Sequence, residues 1–104
     1  MTTPTFIAIV DLSTSAADRP TALAQLEGER PAVRALPGCV DFRVFPGRPG
    51  DTDVTVVHEW VDQASFDRYL ASDAFARSGE VLRPLLTEPP SSRRFRAELV
   101  ETVA

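Results

Sequence analysis

The side chains best suited to chemistry lie close together, in the stretch from residue 54 to residue 75. The only histidine, His58, and the only tryptophan, Trp60, are two positions apart, and the only tyrosine, Tyr69, follows Trp60 nine positions later. An imidazole in an apolar site can remove a phenolic or carbon-bound proton near neutral pH, because both of its protonation states are accessible there. An indole can stack on an aromatic substrate and donate its N–H to an oxygen, and a phenol can supply a hydroxyl. We therefore expect a pocket here, with His58 as the base and with Trp60 and Tyr69 positioning the substrate.

Each of these side chains also has a purely structural interpretation. His58 could be a satisfied or partly exposed histidine at the edge of a strand, Trp60 could anchor a helix to a sheet, and Tyr69 could lie at the rim of the core. Two arginines, Arg43 and Arg83, could orient an enolate or a carboxylate, and a solvated surface position is the alternative for both. The sequence leaves these interpretations open.

Two elements precede this stretch and are needed to support it. Residues 6–12 form a nearly continuous apolar run with Ile and Val, which predicts a central strand buried on both faces. Helical spacing follows over residues 15–36, with Pro20 near the first turn. Pro31 lies inside this helical region and predicts either a kink near Gly28 or two consecutive helices.

Two further strands follow and should pair as a hairpin. The first, residues 39–45, alternates between apolar and charged side chains and is typical of an edge strand. One of its faces carries Val40, Phe42 and Val44. The turn formers at 46–51 are too few for a crossover, so the strand at 53–61 should return antiparallel. Its period of two places four side chains on one face: Val54, Val56, His58 and Trp60.

Helical segments and a last strand complete the chain. Asp62 can cap a first helix, and Ser72 or Asp73 can start a second that ends before the next proline. Gly79, in the interior of the second helix, indicates close approach by a ligand or by a neighbouring helix. Alternating apolar residues and arginines over residues 93–100 predict the last strand.

The element order is βαββαβ, with the second helical part split in two. Two right-handed crossovers interleaved by a hairpin give a four-stranded antiparallel sheet, with the first and third strands central and the helices on one face. This is an α+β, ferredoxin-like fold. The other sheet face would expose Ile7, Ile9 and Val57, with Phe42, Val44, Phe95 and Leu99 as further candidates. Because an apolar sheet face of that size normally meets a partner, we expect a C2 homodimer through the open faces.

Length and composition limit the class of protein. The 104 residues fit one domain, 1–104, and the apolar and charged fractions of 43% and 25% are typical of a soluble globular protein. The formal net charge of −4 argues against nucleic acid as a partner, and no apolar run is long enough to span a membrane. The N-terminus lacks the basic start and cleavage site of a signal peptide, so we expect a cytoplasmic protein.

The chain carries no recognisable cofactor-binding pattern. It has no phosphate-binding glycine loop and no metal-site spacing of His, Asp and Glu, and its single cysteine, Cys39, excludes a Cys-based zinc site within one chain. All eleven basic residues are arginine, which excludes a Schiff-base lysine. We expect no metal, flavin or nucleotide cofactor.

Several short motifs resemble those of one known family. They are Pro-Gly-Cys at 37–39, Glu59-Trp60 at the end of a strand, a following aspartate, a helix that carries Phe66, and S-D-x-F at 72–75. In this order they are similar to the antibiotic biosynthesis monooxygenase domain of the dimeric α+β barrel superfamily, over nearly the whole chain. The resemblance implies a cavity between the helices and the sheet, on the strand face that carries His58 and Trp60.

Members of that family include cofactor-free oxygenases that convert polyketide anthrones to quinones, haem-degrading enzymes, and proteins of quinone or aldehyde metabolism. The haem-degrading members have an asparagine and a histidine where this chain has Val10 and Gly79, so haem ligation in the family manner is not expected. The anthrone oxygenases have an asparagine four residues before the shared tryptophan and a tyrosine six residues after it. This chain has Val56 and Phe66 there, and shares only Trp60.

Together these features indicate a small dimeric monooxygenase-like enzyme that acts on an aromatic or polyketide-derived phenol or quinol with O₂ and without a cofactor. The candidate catalytic residues are His58, Trp60 and Tyr69. The candidate substrate-binding residues are Val10, Val56, Phe66, Phe75 and Arg83. The alternative is a protein that binds a small ligand in the same cavity as an accessory factor, or that acts as a cyclase or an isomerase.

Overall fold

The strands are β1 (Thr5–Ser13), β2 (Cys39–Pro46), β3 (Asp53–Trp60) and β4 (Ser91–Ala97). The helices are α1 (Arg19–Arg34), α2 (Gln63–Leu70) and α3 (Asp73–Leu82), and a 3₁₀ turn, Arg83–Leu85, follows α3. The structure, a computed structural model, describes residues 3–47 and 51–104. The strands pair antiparallel in the order β2-β3-β1-β4, which confirms the predicted βαββαβ ferredoxin-like fold with the first and third strands central.

The two central strands bury one face, which the helices cover. On β3 the four side chains predicted to share a face are all buried: Val54, Val56, His58 and Trp60. On β1 the covered face carries Phe6, Ala8 and Leu12, whereas Ile7 and Ile9 on the opposite face are only half-buried. The expectation that β1 is buried on both faces is therefore wrong for the single chain, because none of the helices in the described residues packs on the second face.

Edge strand β2 contains a bulge that sequence alternation did not predict. Cys39 pairs with Trp60 and Asp41 pairs with the adjacent Glu59, so Val40 is an extra residue and is 45% exposed. Val40 therefore does not share a face with Phe42. The register also corrects the open face, because Phe42 and Val44 pair with His58 and Val56 and lie on the covered side. Phe42 is only 1% exposed.

Helix α1 runs unbroken through Pro31, so the expectation of two consecutive helices is wrong. Pro20 lies in the first turn, where a missing N–H costs no helical hydrogen bond. Leu26 and Val33 are buried on either side of Pro31 and hold the helix against the sheet. The Arg30 side chain adds a hydrogen bond of 2.9 Å from its Nε to the carbonyl oxygen of Phe42 on β2.

The last strand ends earlier than predicted. Strand β4 covers residues 91–97 rather than 93–100, because its partner β1 begins at Thr5, which pairs with Ala97. Within residues 3–47 and 51–104, no strand pairs with the residues beyond Ala97, and Leu99 is 63% exposed. Phe95 pairs with Ile7 and lies on the open face as expected.

Polar side chains cap α2 and α3 as predicted. The Asp62 carboxylate accepts a hydrogen bond from the Ser65 backbone N–H at 2.8 Å, and the Ser72 hydroxyl accepts one from the Phe75 N–H at 3.2 Å. Helix α3 ends at Leu82, before the proline of the 3₁₀ turn. These caps determine where the two helices begin and therefore which of their side chains face the sheet.

Gly38 joins α1 to β2 in a backbone conformation that suits glycine, with φ of 84°. A side chain at this position would collide with the Ser65 hydroxyl on α2, while the Gly38 carbonyl accepts a hydrogen bond of 2.8 Å from the Val61 N–H. This close contact holds α2 against the end of β3 and so places Phe66 and Tyr69 over the sheet.

The β2–β3 connection forms a hairpin, as its antiparallel pairing requires. Of the turn predicted at 46–51, residues 48–50 lie outside the described residues. The open face of the sheet exposes 46% of Phe45 and 43% of Phe95, beside the half-buried Ile7, Ile9 and Val57.

Candidate active site

A cavity of about 330 Å³ lies between the covered face of the sheet and the helices. It has the size of a small-molecule site, and most of its wall is aromatic or aliphatic. The five residues expected to bind substrate all line it: Val10, Val56, Phe66, Phe75 and Arg83. Two of the three candidate catalytic residues, His58 and Tyr69, also line it. Contact between these residues and a substrate stays a prediction.

His58 is held by a hydrogen bond to Trp60. The indole Nε1 donates to the imidazole Nδ1 at 2.8 Å, and the His58 side chain is almost completely buried. Because an indole N–H can only donate, Nδ1 must be an unprotonated acceptor, and the neutral ring carries its proton on Nε2. His58 therefore presents an N–H donor rather than a free lone pair.

The electrostatic environment keeps His58 neutral. Burial lowers the pKa of His58 to about 4, and the positive charge of Arg94 contributes to the shift. The register explains why Arg94 is close enough to act. His58 pairs with Ala8, and Ala8 pairs with Arg94 on β4, so all three side chains lie on the covered face in neighbouring positions. At neutral pH the imidazole is uncharged.

Trp60 does not line the cavity. It has no exposed surface, and its N–H is engaged by His58. Its ring stacks on that of Tyr69, with 5.2 Å between the ring centroids and 25° between the planes. The donation to a substrate oxygen expected from the sequence is therefore not available to this indole. Trp60 instead orients both His58 and Tyr69.

Tyr69 presents an uncharged phenol to the cavity. Its ring meets that of His58 edge-on at 5.7 Å, and the residue is only 6% exposed. Burial raises the pKa of Tyr69, and the negative charge of Glu29 raises it further. The hydroxyl therefore stays protonated over the whole physiological pH range and can donate a hydrogen bond.

Glu29 of α1 is a cavity residue that sequence reasoning missed. One carboxylate oxygen accepts a hydrogen bond from the Ser78 hydroxyl of α3 at 2.9 Å, and the other accepts one from the Gln25 amide at 3.2 Å. Burial raises the pKa of Glu29 against the lowering effect of these two hydrogen bonds. A signal existed in the sequence, because Glu29 lies at helical spacing between the buried Leu26 and Val33.

Arg94 is the second cavity residue that sequence reasoning missed. Its guanidinium lies 4.9 Å from the centre of the Phe66 ring, in a cation–π arrangement. The alternation of β4 contained the signal, since Phe95 on the open face requires its neighbour to face the helices. Positive charge therefore lies at the β4 side of the cavity.

The other candidate arginines differ in position. Arg83 lines the cavity, and its side chain lies over Gly79, where a Cβ would come within 2.8 Å of the Arg83 Nη2 atom. The close approach that Gly79 permits is thus made by an arginine of the following turn. Arg43 lies on the opposite face of the sheet, where it forms an ion pair with Asp41, and does not reach the cavity.

No helix among residues 3–47 and 51–104 is long and apolar enough to cross a membrane. In the same part of the chain, no group of three or more His, Cys, Asp or Glu side chains is placed to hold a metal ion.

A family model described as antibiotic biosynthesis monooxygenase matches residues 5–80. The chain belongs to this family. The match spans β1 to α3, the elements that supply His58, Tyr69 and Glu29. Comparison with the curated proteins found no match.

Solved structures share the fold of this chain at low sequence identity. Rv0793 from Mycobacterium tuberculosis is 18% identical, with a TM-score of 0.83 over 95% of this chain and 99% of its own. Protein SO0527 from Shewanella oneidensis is 22% identical, with a TM-score of 0.82 over 91% and 92% of the two chains. A structure described as an antibiotic biosynthesis monooxygenase is 16% identical, with a TM-score of 0.80 over 88% and 97%.

Proposed function

We propose that the protein is a cofactor-independent monooxygenase that acts on an aromatic, polyketide-derived phenol or quinol. The observation that carries the proposal is the cavity of about 330 Å³, which combines apolar and aromatic walls with two neutral hydrogen-bond donors. These donors are the Nε2–H of His58 and the hydroxyl of Tyr69. Family membership over residues 5–80 supports an oxygenase in particular.

The donors suit a reaction that passes through an oxyanion. Removal of a proton from the substrate gives an electron-rich enolate or phenolate, whose oxygen accepts hydrogen bonds from His58 and Tyr69. The carbanion form reduces O₂ and forms a C–O bond, and the resulting hydroperoxide loses water to give a quinone carbonyl. For an anthrone, one oxygen atom enters the quinone, and the other leaves as water with the two hydrogens of the methylene carbon. Neutral donors stabilise the oxyanion without protonating it.

Oxygen consumption tests this proposal. Metal- and flavin-free protein is expected to consume one O₂ for each quinone formed from an anthrone or hydroquinone, measured with an oxygen electrode and by absorbance. Val10→Phe, which fills part of the cavity from β1, is expected to lower the rate by about tenfold or more. The matched control is Val100→Phe, the same change at a residue that is 92% exposed and should keep full activity. No O₂ consumption above the uncatalysed rate, or equal rates in the two variants, would overturn the proposal.

A second candidate, proton transfer without oxygenation, is favoured by the half-buried Glu29 carboxylate in the same cavity. A carboxylate and two hydrogen-bond donors are sufficient for enolisation, and hence for an isomerase or a cyclase. This candidate predicts substrate turnover at an unchanged rate when O₂ is removed. The oxygenase predicts that product formation stops.

We also propose that residues 1–104 form one domain and that two copies pair through the open sheet face. The apolar side chains Ile7, Ile9, Val57, Phe45 and Phe95 lie on that face. A second copy of the chain would cover these side chains. Exposed apolar patches of this kind mark protein interfaces, which favours a homodimer. Analytical ultracentrifugation at micromolar concentration is expected to show a species of twice the chain mass of 11.4 kDa. A single species of monomer mass would contradict it.

A further inference from the structure

We infer that Glu29, and not His58, is the base that removes the proton from the substrate. This inference rests on the proposed function of the cavity, since it assigns the first step of that reaction. It makes Glu29 a catalytic residue and His58 a donor to the developing oxyanion.

The hydrogen bond between Trp60 and His58 argues against a basic imidazole. The Nδ1 lone pair of His58 accepts the indole N–H at 2.8 Å, and Nε2 already carries the proton of the neutral ring. Accepting a substrate proton would require the ring to become a cation while it is 4% exposed and is acted on by the positive charge of Arg94. The buried position and the neighbouring positive charge both oppose that change.

Glu29 has the properties that His58 lacks. Among the described residues that line the cavity, it is the only carboxylate. Each of its oxygens accepts one hydrogen bond, from Ser78 or from Gln25, and each retains a lone pair that can take a substrate proton. The two bonds hold the carboxylate on α1 in a fixed orientation, and its partial burial makes it a stronger base than an exposed glutamate.

In the assigned step, one Glu29 oxygen forms an O–H bond as the carbon–hydrogen or oxygen–hydrogen bond of the substrate breaks. The electron pair stays on the substrate as the enolate or phenolate, whose oxygen is held by His58 and Tyr69. The negative charge thus moves from the carboxylate to the substrate within the cavity. The proton on Glu29 is then available for the peroxide formed after the reaction with O₂.

A structural role for Glu29 as a link between α1 and α3 makes different predictions. Glu29→Gln keeps an oxygen that can accept the Ser78 hydrogen bond but cannot take a proton. Ser78→Ala removes the link but keeps the carboxylate. A base is lost only in the first variant, whereas the link is lost only in the second.

Hydrogen–deuterium exchange without oxygen isolates the step. Anthrone is incubated anaerobically in D₂O with metal- and flavin-free protein, and loss of its methylene protons is followed by NMR. Wild-type protein is expected to accelerate the exchange. Glu29→Gln is expected to lower the catalysed rate by about 10²-fold or more, whereas Ser78→Ala should lower it by less than about tenfold. Circular dichroism and thermal melting verify that each variant is folded.

The exchange rates and the O₂ consumption together test the role of Glu29 as base separately from the oxygenase activity. Wild-type-like exchange in Glu29→Gln would overturn the role of Glu29, even if O₂ consumption supports the oxygenase. Exchange that depends on Glu29 without any O₂ consumption would overturn the oxygenase and leave the base in place. Absence of exchange in wild-type protein would also overturn the role of Glu29. If Glu29→Gln does not fold, Glu29→Asp replaces it, since withdrawing the carboxylate by one methylene should lower exchange at least about tenfold, and an unchanged rate would overturn the inference.

Discussion

Replacing Trp60 by phenylalanine is expected to lower the free energy of unfolding by about 3 kcal/mol. Two effects add. The substitution leaves Nδ1 of the buried His58 without its donor, and an unpaired buried polar atom costs about 1–3 kcal/mol. It also removes part of a side chain that has no exposed surface and stacks on Tyr69, which leaves a void in the core. Urea unfolding monitored by far-UV circular dichroism measures the change.

A double-mutant cycle separates these two effects. His58→Leu and Trp60→Phe together remove both partners of the hydrogen bond, so the double variant should be more stable than the sum of the single effects predicts, by about 1–2 kcal/mol. An additive cycle would mean that the Trp60–His58 hydrogen bond does not stabilise the fold. It would also remove the argument that this bond fixes the protonation of the imidazole.

Acidification is expected to destabilise the wild-type protein more than His58→Gln, by about 3 kcal/mol between pH 6.5 and pH 4. The pKa of His58 is about 4 in the folded protein, against an ordinary value of 6.5 in the unfolded chain. Between these values the unfolded chain binds a proton that the folded protein does not, so stability falls as the pH falls. Well above pH 6.5 both states are neutral at this residue, and the difference between the proteins should be constant.

The other groups that titrate in this range are present in both proteins. Their contributions to the free energy of unfolding therefore cancel when wild-type protein is compared with His58→Gln. Glu29 acts in the opposite direction, because its raised pKa makes the folded protein bind a proton before the unfolded chain does. Glutamine also retains an oxygen that can accept the Trp60 N–H. Parallel stability curves for the two proteins from pH 6.5 to pH 4 would show that His58 titrates normally and is not held in a dry environment.

Sequence patterns predicted the fold because most of its elements obey local rules. The period of two in β3 assigned Val54, Val56, His58 and Trp60 to the covered face, and Asp62 was correctly assigned as a helix cap. The errors come from non-local geometry. The bulge at Val40 depends on how β2 pairs with β3, and the end of β4 depends on where its partner β1 begins. The alternation of side chains within one strand reveals neither the bulge nor the end of the strand.

The position of the candidate site could be predicted from the sequence, but the chemical roles of its residues could not. The clustering of His58 and Tyr69 in one stretch correctly indicated residues that line a cavity. Their chemical states depend on contacts that spacing does not reveal, such as the Trp60–His58 hydrogen bond. The two residues that sequence reasoning missed, Glu29 and Arg94, come from the first helix and the last strand, and only folding brings them to the same cavity.

Isotope labelling with ¹⁸O₂ shows whether the protein transfers an oxygen atom from O₂ to its substrate. Metal- and flavin-free protein is incubated with an anthrone under ¹⁸O₂ in unlabelled water, and the quinone is analysed by mass spectrometry. We expect a quinone with one ¹⁸O atom, formed by wild-type protein and strongly reduced in Val10→Phe. Absence of protein-dependent quinone, or a quinone whose new oxygen comes from water, would contradict this expectation.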